Sequence, residues 1–382
     1  MILTDEQKSI KEAARRFSHE RLLPTYLQRE LDGNLDRSLI REIGRLGFIG
    51  VDLPVELGGL GLDGVTSGLI IEELGYGDFN IASTVVVAAL LSAIIARDAK
   101  PEIAQHWVPA IVRGDAIVAL AITEPRGGSD AANMEMKAHQ DGANFILNGE
   151  KTSVTFSDTA DAFLVFARTG RQEDNAKGIS AFLIPSNTPG ISSSRFDDLG
   201  GVCLGRGSVF FDNVVVPESH IVGGIGKGFT QVMVGFDFSR ALIALQCIGA
   251  AQASLDEAWS YVQEREAFGI PIGKFQGVTF PLAEAESQIA AIRQLSYHTL
   301  QLRDAGQKHT SEAAMVKWMG PRTAFDVIHQ CLLTFGHYGW TKDLPHQQRM
   351  RDVMGLEIGD GTAGVMKLII ARERIGRVAI QY

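Results

Sequence analysis

Hydrophobic positions recur every three to four residues along the first third of the chain, which is the pattern of amphipathic helices. The polar residues Thr4-Asp5-Glu6-Gln7 begin the first of these stretches with the spacing of a helix-capping box. The same periodicity predicts further helices over 38–46, 65–74, 81–96 and 101–112. We therefore expect residues 1–115 to form a helical domain.

The pattern changes between 116 and 225 to short apolar or alternating runs with turn residues between them. Such runs are typical of β-strands, and the clearest are 162–167, 180–184 and 208–211. They predict an antiparallel β domain over 116–225, built as a sandwich or a barrel.

Helical periodicity returns after residue 226. Four long helices are predicted over 228–268, 280–305, 311–335 and 363–380, and Pro321 is expected to bend the third. Short connections between long helices indicate a bundle. The predicted fold class is therefore α+β, with an N-terminal helical domain, a middle β domain and a C-terminal four-helix bundle over 226–382.

Composition limits the classes of function. A chain of 382 residues is longer than the chains that usually fold around a single hydrophobic core. Its net charge of -9 argues against a nucleic-acid surface. The longest apolar run, 81–96, contains Ser and Thr and is too short to span a bilayer. With no basic or Arg/Ser-rich leader, the chain is expected to be cytoplasmic. Its three cysteines show no disulfide or metal-binding spacing.

The first candidate site is the turn 121–130, Ala-Ile-Thr-Glu-Pro-Arg-Gly-Gly-Ser-Asp, which follows an apolar run. Glycines and small hydroxyls let a flat or anionic ligand approach the backbone closely. An ordinary tight turn, with Ser129 and Asp130 capping the next element, explains the same residues equally well.

The second candidate is the segment 262–276, where a long helix is expected to end. Arg265 beside Phe268 and Gly269 can hold a pyrophosphate, and Gln276 can bond an adenine or a ribose. The alternative is a plain helix hairpin with a glycine at the helix end.

The third candidate lies near the C-terminus, where glycines follow a helix at 336–341 and Asp360 stands between Gly359 and Gly361. A carboxylate on such a loop is a candidate base. The alternative is that Asp360 caps the final helix.

Taken in order, these segments resemble the acyl-CoA dehydrogenase family across essentially the whole chain. The matching motifs are Thr123-Glu124-Pro125, Gly128-Ser129-Asp130, Glu264-Arg265, Phe268-Gly269, Phe275-Gln276, 336–341, Arg351-Asp352, Gly361-Thr362 and Ala371-Arg372-Glu373. The resemblance implies an acyl-CoA substrate, FAD and a homotetramer with FAD bound partly across a subunit interface. It also implies electron-transferring flavoprotein as the electron acceptor.

The resemblance also implies roles for individual residues. Those implied to contact FAD are Ile122, Thr123, Gly128, Ser129, Thr155, Arg265, Phe268, Gln276, Gly336 and Thr362. Those implied to line the CoA and the active site are Ser129, Asp237, Arg240 and Gly361. Gly336 is expected to admit the cofactor of the adjacent subunit. The backbone N–H of Asp360 and a ribityl hydroxyl of FAD are expected to hold the thioester oxygen.

The chain departs from the family pattern at several positions. Arg126 replaces a glycine, Ser153 a tryptophan, Leu333 a glutamine and His337 a second glycine. Asp360 stands where the family has its catalytic Glu, and the position where some members place their base is Ser239. We therefore expect Asp360 to be the base.

With an aspartate at this position, the chain resembles the dehydrogenases of alicyclic acyl-CoA esters, which convert cyclohexane-1-carboxyl-CoA to cyclohex-1-ene-1-carboxyl-CoA. The alternatives are a straight- or branched-chain acyl-CoA dehydrogenase, a flavin monooxygenase on the same fold, and a non-catalytic nucleic-acid-associated relative. The retained Asp360-Gly361-Thr362 argues against the monooxygenase, and the net charge argues against the nucleic-acid-associated relative.

Overall fold

The computed structural model describes residues 2–379 and begins with a helical region. As the capping pattern predicts, the Thr4 side chain accepts a hydrogen bond from the Gln7 N–H, and the Gln7 side chain accepts one from the Thr4 N–H. The prediction for 101–112 is confirmed. The helices are α1 (Asp5–Phe17), α2 (Tyr26–Asp32), α3 (Arg37–Arg45), α4 (Gly64–Gly77), α5 (Phe79–Asp98) and α6 (Pro101–Val112).

A single mixed sheet follows. Its strands are β1 (Val118–Ala121), β2 (Lys137–Asp141), β3 (Asn144–Val154), β4 (Ala162–Arg168), β5 (Ile179–Pro185), β6 (Ile191–Arg195), β7 (Gly207–Pro217) and β8 (Ile221–Val222). Their order is β6-β7-β3-β2-β4-β5-β8, with β1 on β4. The expectation of an antiparallel domain was wrong for β1, which pairs with β4 in parallel. The chain between them, which includes the β2–β3 hairpin, is long enough for the crossover that a parallel pair needs.

Long helices form the C-terminal region. The elements are α7 (Gly228–Glu264), β9 (Glu266–Ala267), β10 (Ile270–Pro271), α8 (Gln276–Asp304), α9 (Thr310–Thr334), α10 (His346–Gly355) and α11 (Ala363–Ile375). Helix α7 ends four residues before the predicted 268, because the chain turns into the β9–β10 hairpin and Phe268 has a left-handed φ of 55°. Helix α11 ends at Ile375, well before the predicted 380, which lies outside the described residues. Pro321 lies inside α9 without ending it.

Helix α7 lies at the centre of the molecule and packs against α4, α5, α8 and α9. Two glycines allow α4 and α7 to approach closely. A Cβ on Gly249 would lie 2.3 Å from the Glu72 carbonyl oxygen, and one on Gly75 would lie 2.5 Å from that of Gln246. A Cβ on Gly235 would lie 2.7 Å from Leu90 of α5. Helix α7 is thus held by its neighbours along its length.

Helices α5 and α7 are long and apolar enough to cross a membrane by length and composition alone. The run 81–96 is thus part of a 20-residue helix, and the expectation that it is too short to span a bilayer was wrong by length alone. However, 72% of the apolar window of α5 and 83% of that of α7 are buried inside the protein. Their apolar character is therefore that of core helices.

Candidate active site

The turn 121–130 lies against the sheet. The Thr123 carbonyl accepts a 2.8 Å hydrogen bond from the Thr152 N–H of β3, and the Gly127 N–H closes the turn on the Glu124 carbonyl at 3.0 Å. Ile122 and Thr123 are half-buried, while Gly128 and Ser129 are exposed. Asp130 precedes a short helical turn but its side chain does not cap it, so the capping alternative was wrong for that residue.

A buried ion pair that the sequence did not indicate holds this turn in place. The Lys151 ammonium lies 2.7 Å from a Glu124 carboxylate oxygen and also donates to the Ile122 carbonyl at 3.1 Å. The same carboxylate accepts the N–H groups of Glu135 and Met136 at 2.6 and 3.0 Å. Burial lowers the pKa of Lys151 to about 8. Glu124 is therefore a structural residue of the motif and points away from solvent.

The residues at the end of β3 form a second wall of the candidate site. Thr155 follows the strand and is half-buried, and Ser153 is exposed with a left-handed φ of 56°. The Ser153 hydroxyl accepts a 2.8 Å hydrogen bond from Arg206, which also pairs with Asp198. Where the family pattern has a tryptophan, this chain thus presents a small hydroxyl and a guanidinium.

Asp360 occupies a strained loop between α10 and α11. Its φ is 56°, and that of Gly361 is 103°. The N-cap of α11 is Thr362, whose hydroxyl accepts the Val365 N–H at 3.4 Å, so the alternative that Asp360 caps this helix was wrong. Within residues 2–379, no side chain or backbone group donates to the Asp360 carboxylate, and the Asp360 N–H has no acceptor. Both groups are free to meet a ligand.

Asp237 and Arg240 of α7 lie beside this loop. The Arg240 Nη1 donates to the Asp237 Oδ1 at 3.1 Å, and the other carboxylate oxygen of Asp237 accepts the Thr310 hydroxyl at 2.6 Å. Arg240 is only 4% exposed, and its Nε has no partner among the described residues. A Cβ on Gly361 would lie 3.9 Å from the Arg240 Nη2, which places Gly361 against the guanidinium.

Sequence reasoning missed Lys317 of α9, which is 1% exposed. Its ammonium donates to the Leu356 carbonyl at 2.9 Å and to the Gly361 carbonyl. Burial lowers the pKa of Lys317 to about 8, although the nearby Asp360 carboxylate acts in the opposite direction. The available signal was a lone lysine among the buried positions of an apolar helix.

The charges around Asp360 act in two directions. Burial raises the pKa of Asp360 above its ordinary value of 3.8, while the positive charges of Lys317 and Arg240 lower it. Neither cation lies within ion-pair distance of the Asp360 carboxylate. A carboxylate with a raised pKa and no direct partner is suited to accept a proton.

Arg265, Phe268, Gln276 and Gly336 form a separate group at the other end of α7. Phe268 is 96% exposed at the tip of the β9–β10 hairpin, and the side chains of Arg265 and Gln276 are exposed without hydrogen bonds to described residues. The connection contains a β-hairpin, and the C-cap of α7 is Arg265 rather than a glycine, so the alternative of a helix hairpin with a C-cap glycine was wrong. The rings of Tyr261 and Phe335 stack at 4.2 Å and bring Gly336 to the same end.

One protomer does not bring these two groups together. Arg240 and Glu264 are 24 residues apart on α7, and at 1.5 Å per residue this places them about 36 Å apart. The Asp360 loop and the hairpin therefore lie far apart along the longest helix.

Comparisons with known proteins identify the family. Models of the N-terminal, middle and C-terminal domains of acyl-CoA dehydrogenases match residues 4–115, 119–214 and 226–375. The chain belongs to the acyl-CoA dehydrogenase family. It is 33% identical over 374 residues to the mitochondrial short-chain specific acyl-CoA dehydrogenase of Rattus norvegicus, covering 97% of this chain and 90% of that protein.

Solved structures agree with this acyl-CoA dehydrogenase assignment. A structure from work on the electron transferring flavoprotein of Acidaminococcus fermentans has a TM-score of 0.95 at 33% identity, covering 98% of this chain and 99% of that one. A glutaryl-CoA dehydrogenase of Mycobacterium smegmatis in complex with FADH2 has a TM-score of 0.93 at 27% identity, covering 99% and 97%. The expected α, β, α fold is confirmed, and the chain is an FAD-dependent oxidoreductase.

Changing Glu124 to Ala tests whether the buried pair holds the turn. Removing the carboxylate leaves the Lys151 ammonium buried without its partner, which we expect to lower the free energy of unfolding by about 3–5 kcal/mol. The exposed pair Arg126–Glu135 offers a matched control. Glu135→Ala should cost less than about 1 kcal/mol. Denaturant unfolding of both variants measures the difference, and equal losses would contradict this account.

Proposed function

We propose that this acyl-CoA dehydrogenase acts on an alicyclic acyl group, converting cyclohexane-1-carboxyl-CoA to cyclohex-1-ene-1-carboxyl-CoA, with Asp360 as the base. The observation that carries the proposal is the free carboxylate of Asp360 beside Arg240 and Lys317. Asp237, another acidic residue there, has both oxygens engaged. Ser239 is fully buried, and a hydroxyl is too weak a base for this step.

In the proposed reaction, Asp360 takes the proton from the carbon alpha to the thioester. FAD, when bound, accepts the hydride from the beta carbon. An unactivated alpha proton is a very weak acid, so hydrogen bonds to the thioester oxygen and exclusion of water must stabilise the developing negative charge. The Asp360 N–H, which has no acceptor among the described residues, is available to donate to that oxygen. The raised pKa of Asp360 makes its carboxylate a stronger base.

The length of the side chain supports an alicyclic substrate. Aspartate is one methylene shorter than glutamate and reaches about 1.5 Å less far, while a misplacement of about 1 Å can cost on the order of a hundredfold in rate. A ring at the alpha carbon brings the proton closer to the short side chain. The neighbouring Gly359 adds no side chain there, and a Cβ on it would find only ordinary contacts, the nearest at 3.6 Å.

Residues 86–91 of α5 are all apolar, which fits either a lining for the acyl group or the core. Val86, Leu90 and Leu91 are buried, and Leu90 packs against Gly235 of α7. These three side chains are therefore core residues in the described structure. The half-buried Leu120 at the end of β1 is the apolar side chain that we propose for contact with the acyl group.

The two-part arrangement of the site supports FAD bound across a subunit interface. We propose that Ile122, Thr123, Gly128, Ser129, Thr155 and Thr362 hold the flavin end, and that Arg265, Phe268, Gln276 and Gly336 hold the pyrophosphate and adenosine of a neighbouring subunit's FAD. The residues fit this group, because Arg265 and Gln276 have no hydrogen-bond partner among the described residues and Phe268 is 96% exposed. Gly336 has open space around it.

A homotetramer with electron-transferring flavoprotein as its acceptor completes the proposal. Large apolar side chains are exposed beside the hairpin group, including Trp340 at 86% and Leu333 at 55%. Exposed apolar surface of this kind marks interaction sites. A second copy of the chain packed at this end would also place the hairpin of one subunit against the site of the other. Within one subunit, the hairpin lies about 36 Å from Asp360.

The proposed base is tested by Asp360→Asn, which keeps the shape of the side chain and removes its basicity. We expect anaerobic flavin bleaching by acyl-CoA to slow by about 10²–10⁴-fold. In the unchanged protein, the rate should fall as the pH drops through the pKa of Asp360, which lies above 3.8, because the protonated acid cannot accept a proton. Ser239→Ala is the control and should bleach normally. Bleaching of Asp360→Asn at the unchanged rate would refute the assignment.

The acyl group is tested with a panel of straight, branched and cyclic acyl-CoA esters. Cyclohexane-1-carboxyl-CoA should bleach the flavin fastest. In Asp360→Glu, the longer side chain should slow this ester by about a hundredfold and slow butyryl-CoA less. Faster bleaching of the unchanged protein by butyryl-CoA than by the cyclic ester would contradict the alicyclic proposal but leave Asp360 as the base.

The shared site is tested by mixing two inactive variants. Arg265→Ala and Asp360→Asn should each be defective alone, because one loses FAD and the other loses the base. Co-expression should restore roughly a quarter of the sites, since random pairing makes half the dimers mixed and each mixed dimer has one intact site. The control is Arg240→Ala with Asp360→Asn, whose residues lie in one protomer's site. Equal recovery in both mixtures, or none in either, would contradict the arrangement.

A further inference from the structure

Lys317 connects the two ends of the loop that carries Asp360. Leu356, which accepts from the Lys317 ammonium at 2.9 Å, is the C-cap residue of α10. Gly361, the other acceptor, directly precedes the N-cap of α11. One buried ammonium group therefore fixes both ends of the segment 356–361.

The loop needs such a constraint. Asp360 has a φ of 56°, which is in the left-handed region that non-glycine residues rarely adopt. A residue in this conformation is strained and persists only where its surroundings fix it. The carbonyl end of a helix also attracts a positive charge, which favours the ammonium at Leu356.

The charge of Lys317 also acts on the base through space. The charged and titratable groups that face Lys317 are Arg240 and Cys247 of α7 and Glu357 and Asp360 of the loop, while Arg372 of α11 acts on Arg240. Lys317 makes no direct ion pair with Asp360. Its positive charge thus favours the ionised carboxylate while leaving both carboxylate oxygens free.

We propose that Lys317 is a positioning residue for the dehydrogenation, whose ammonium clamps the carbonyls of Leu356 and Gly361 and so fixes the Asp360 carboxylate while favouring its ionised form. The proposal rests on the proposed role of Asp360 as the base. Lys317 acts through the loop and touches neither substrate nor FAD in this role.

Neutral variants at this position test both effects. Lys317→Met and Lys317→Gln remove the charge, and Lys317→Arg keeps the charge and the donors. Lys367→Met is a matched control, because Lys367 is an exposed lysine of α11 that lies over the Trp318 ring at 4.6 Å and does not contact the loop. All variants are purified as holoenzyme, and their FAD content is measured before use.

The first measurement is amide hydrogen exchange across 357–362, which does not depend on activity. Loss of the clamp should raise the exchange rate about tenfold in the two neutral variants. Lys317→Arg should stay near the unchanged protein, and Lys367→Met should match it. Unchanged exchange in whichever neutral variant folds would overturn the clamp.

The second measurement is the rate of anaerobic flavin bleaching against pH, with the panel ester that reacts fastest. The neutral variants should bleach about 10–100-fold more slowly because the base is misplaced. The acidic limb of their pH profile, where the rate falls as the Asp360 carboxylate is protonated, should move up by about one pH unit. The reason is that the ionised carboxylate has lost a positive neighbour. Lys317→Arg should restore the limb. A limb that coincides with that of the unchanged protein would overturn the electrostatic part of the proposal.

Asp360→Asn separates the two possible failures. If this variant bleaches normally, the assignment of the base fails, and the exchange measurement still decides whether Lys317 clamps the loop. If it is inactive while the neutral Lys317 variants keep the unchanged pH profile and exchange rates, the role of Lys317 alone fails.

Discussion

Helix α7 is 37 residues long, and a rise of 1.5 Å per residue gives it a length of about 55 Å. Near its start it carries Arg240 beside Asp360, and at its end the chain turns into the hairpin of Arg265. Because α7 is buried among α4, α5, α8 and α9, it cannot bend to bring its two ends together. The separation of the Asp360 loop from the hairpin group follows from this single helix.

The neighbourhood of Asp360 combines burial with nearby positive charge and leaves the carboxylate without an ion pair among the described residues. Asp237 is engaged by Arg240 and Thr310, so each of its carboxylate oxygens already accepts a hydrogen bond. Asp360 has two cations nearby but no direct partner among the described residues. Burial and positive charge act on its pKa in opposite directions, and the free carboxylate remains available to a substrate. The difference between the two acids comes from contacts rather than from residue type.

Much of the local structure followed from the sequence. The capping box at Thr4 and the bounds of α6 are local features, since hydrogen bonds between residues three and four apart decide them. Short apolar or alternating runs in the sequence predicted the positions of β4, β5 and β7. The end of α7 and the parallel pairing of β1 were missed, because a hairpin and a distant strand decide them. The motifs around Thr123, Arg265 and Asp360 could be found in the sequence because the residues within each motif lie close together along the chain.

The sequence by itself determined the order of helical and β regions, the family motifs and the identity of Asp360 as a candidate base. Periodicity and motif spacing are local, so they can be observed without coordinates. Only the tertiary structure decided that Glu124 is held by Lys151, that Thr362 rather than Asp360 caps α11, and that the Lys317 ammonium donates to the carbonyls of Leu356 and Gly361. These contacts join residues that are 27 or more positions apart in two of the three cases, and the third depends on where the backbone of one loop turns. No local pattern encodes such distances, because they are set by how the buried helices and strands pack.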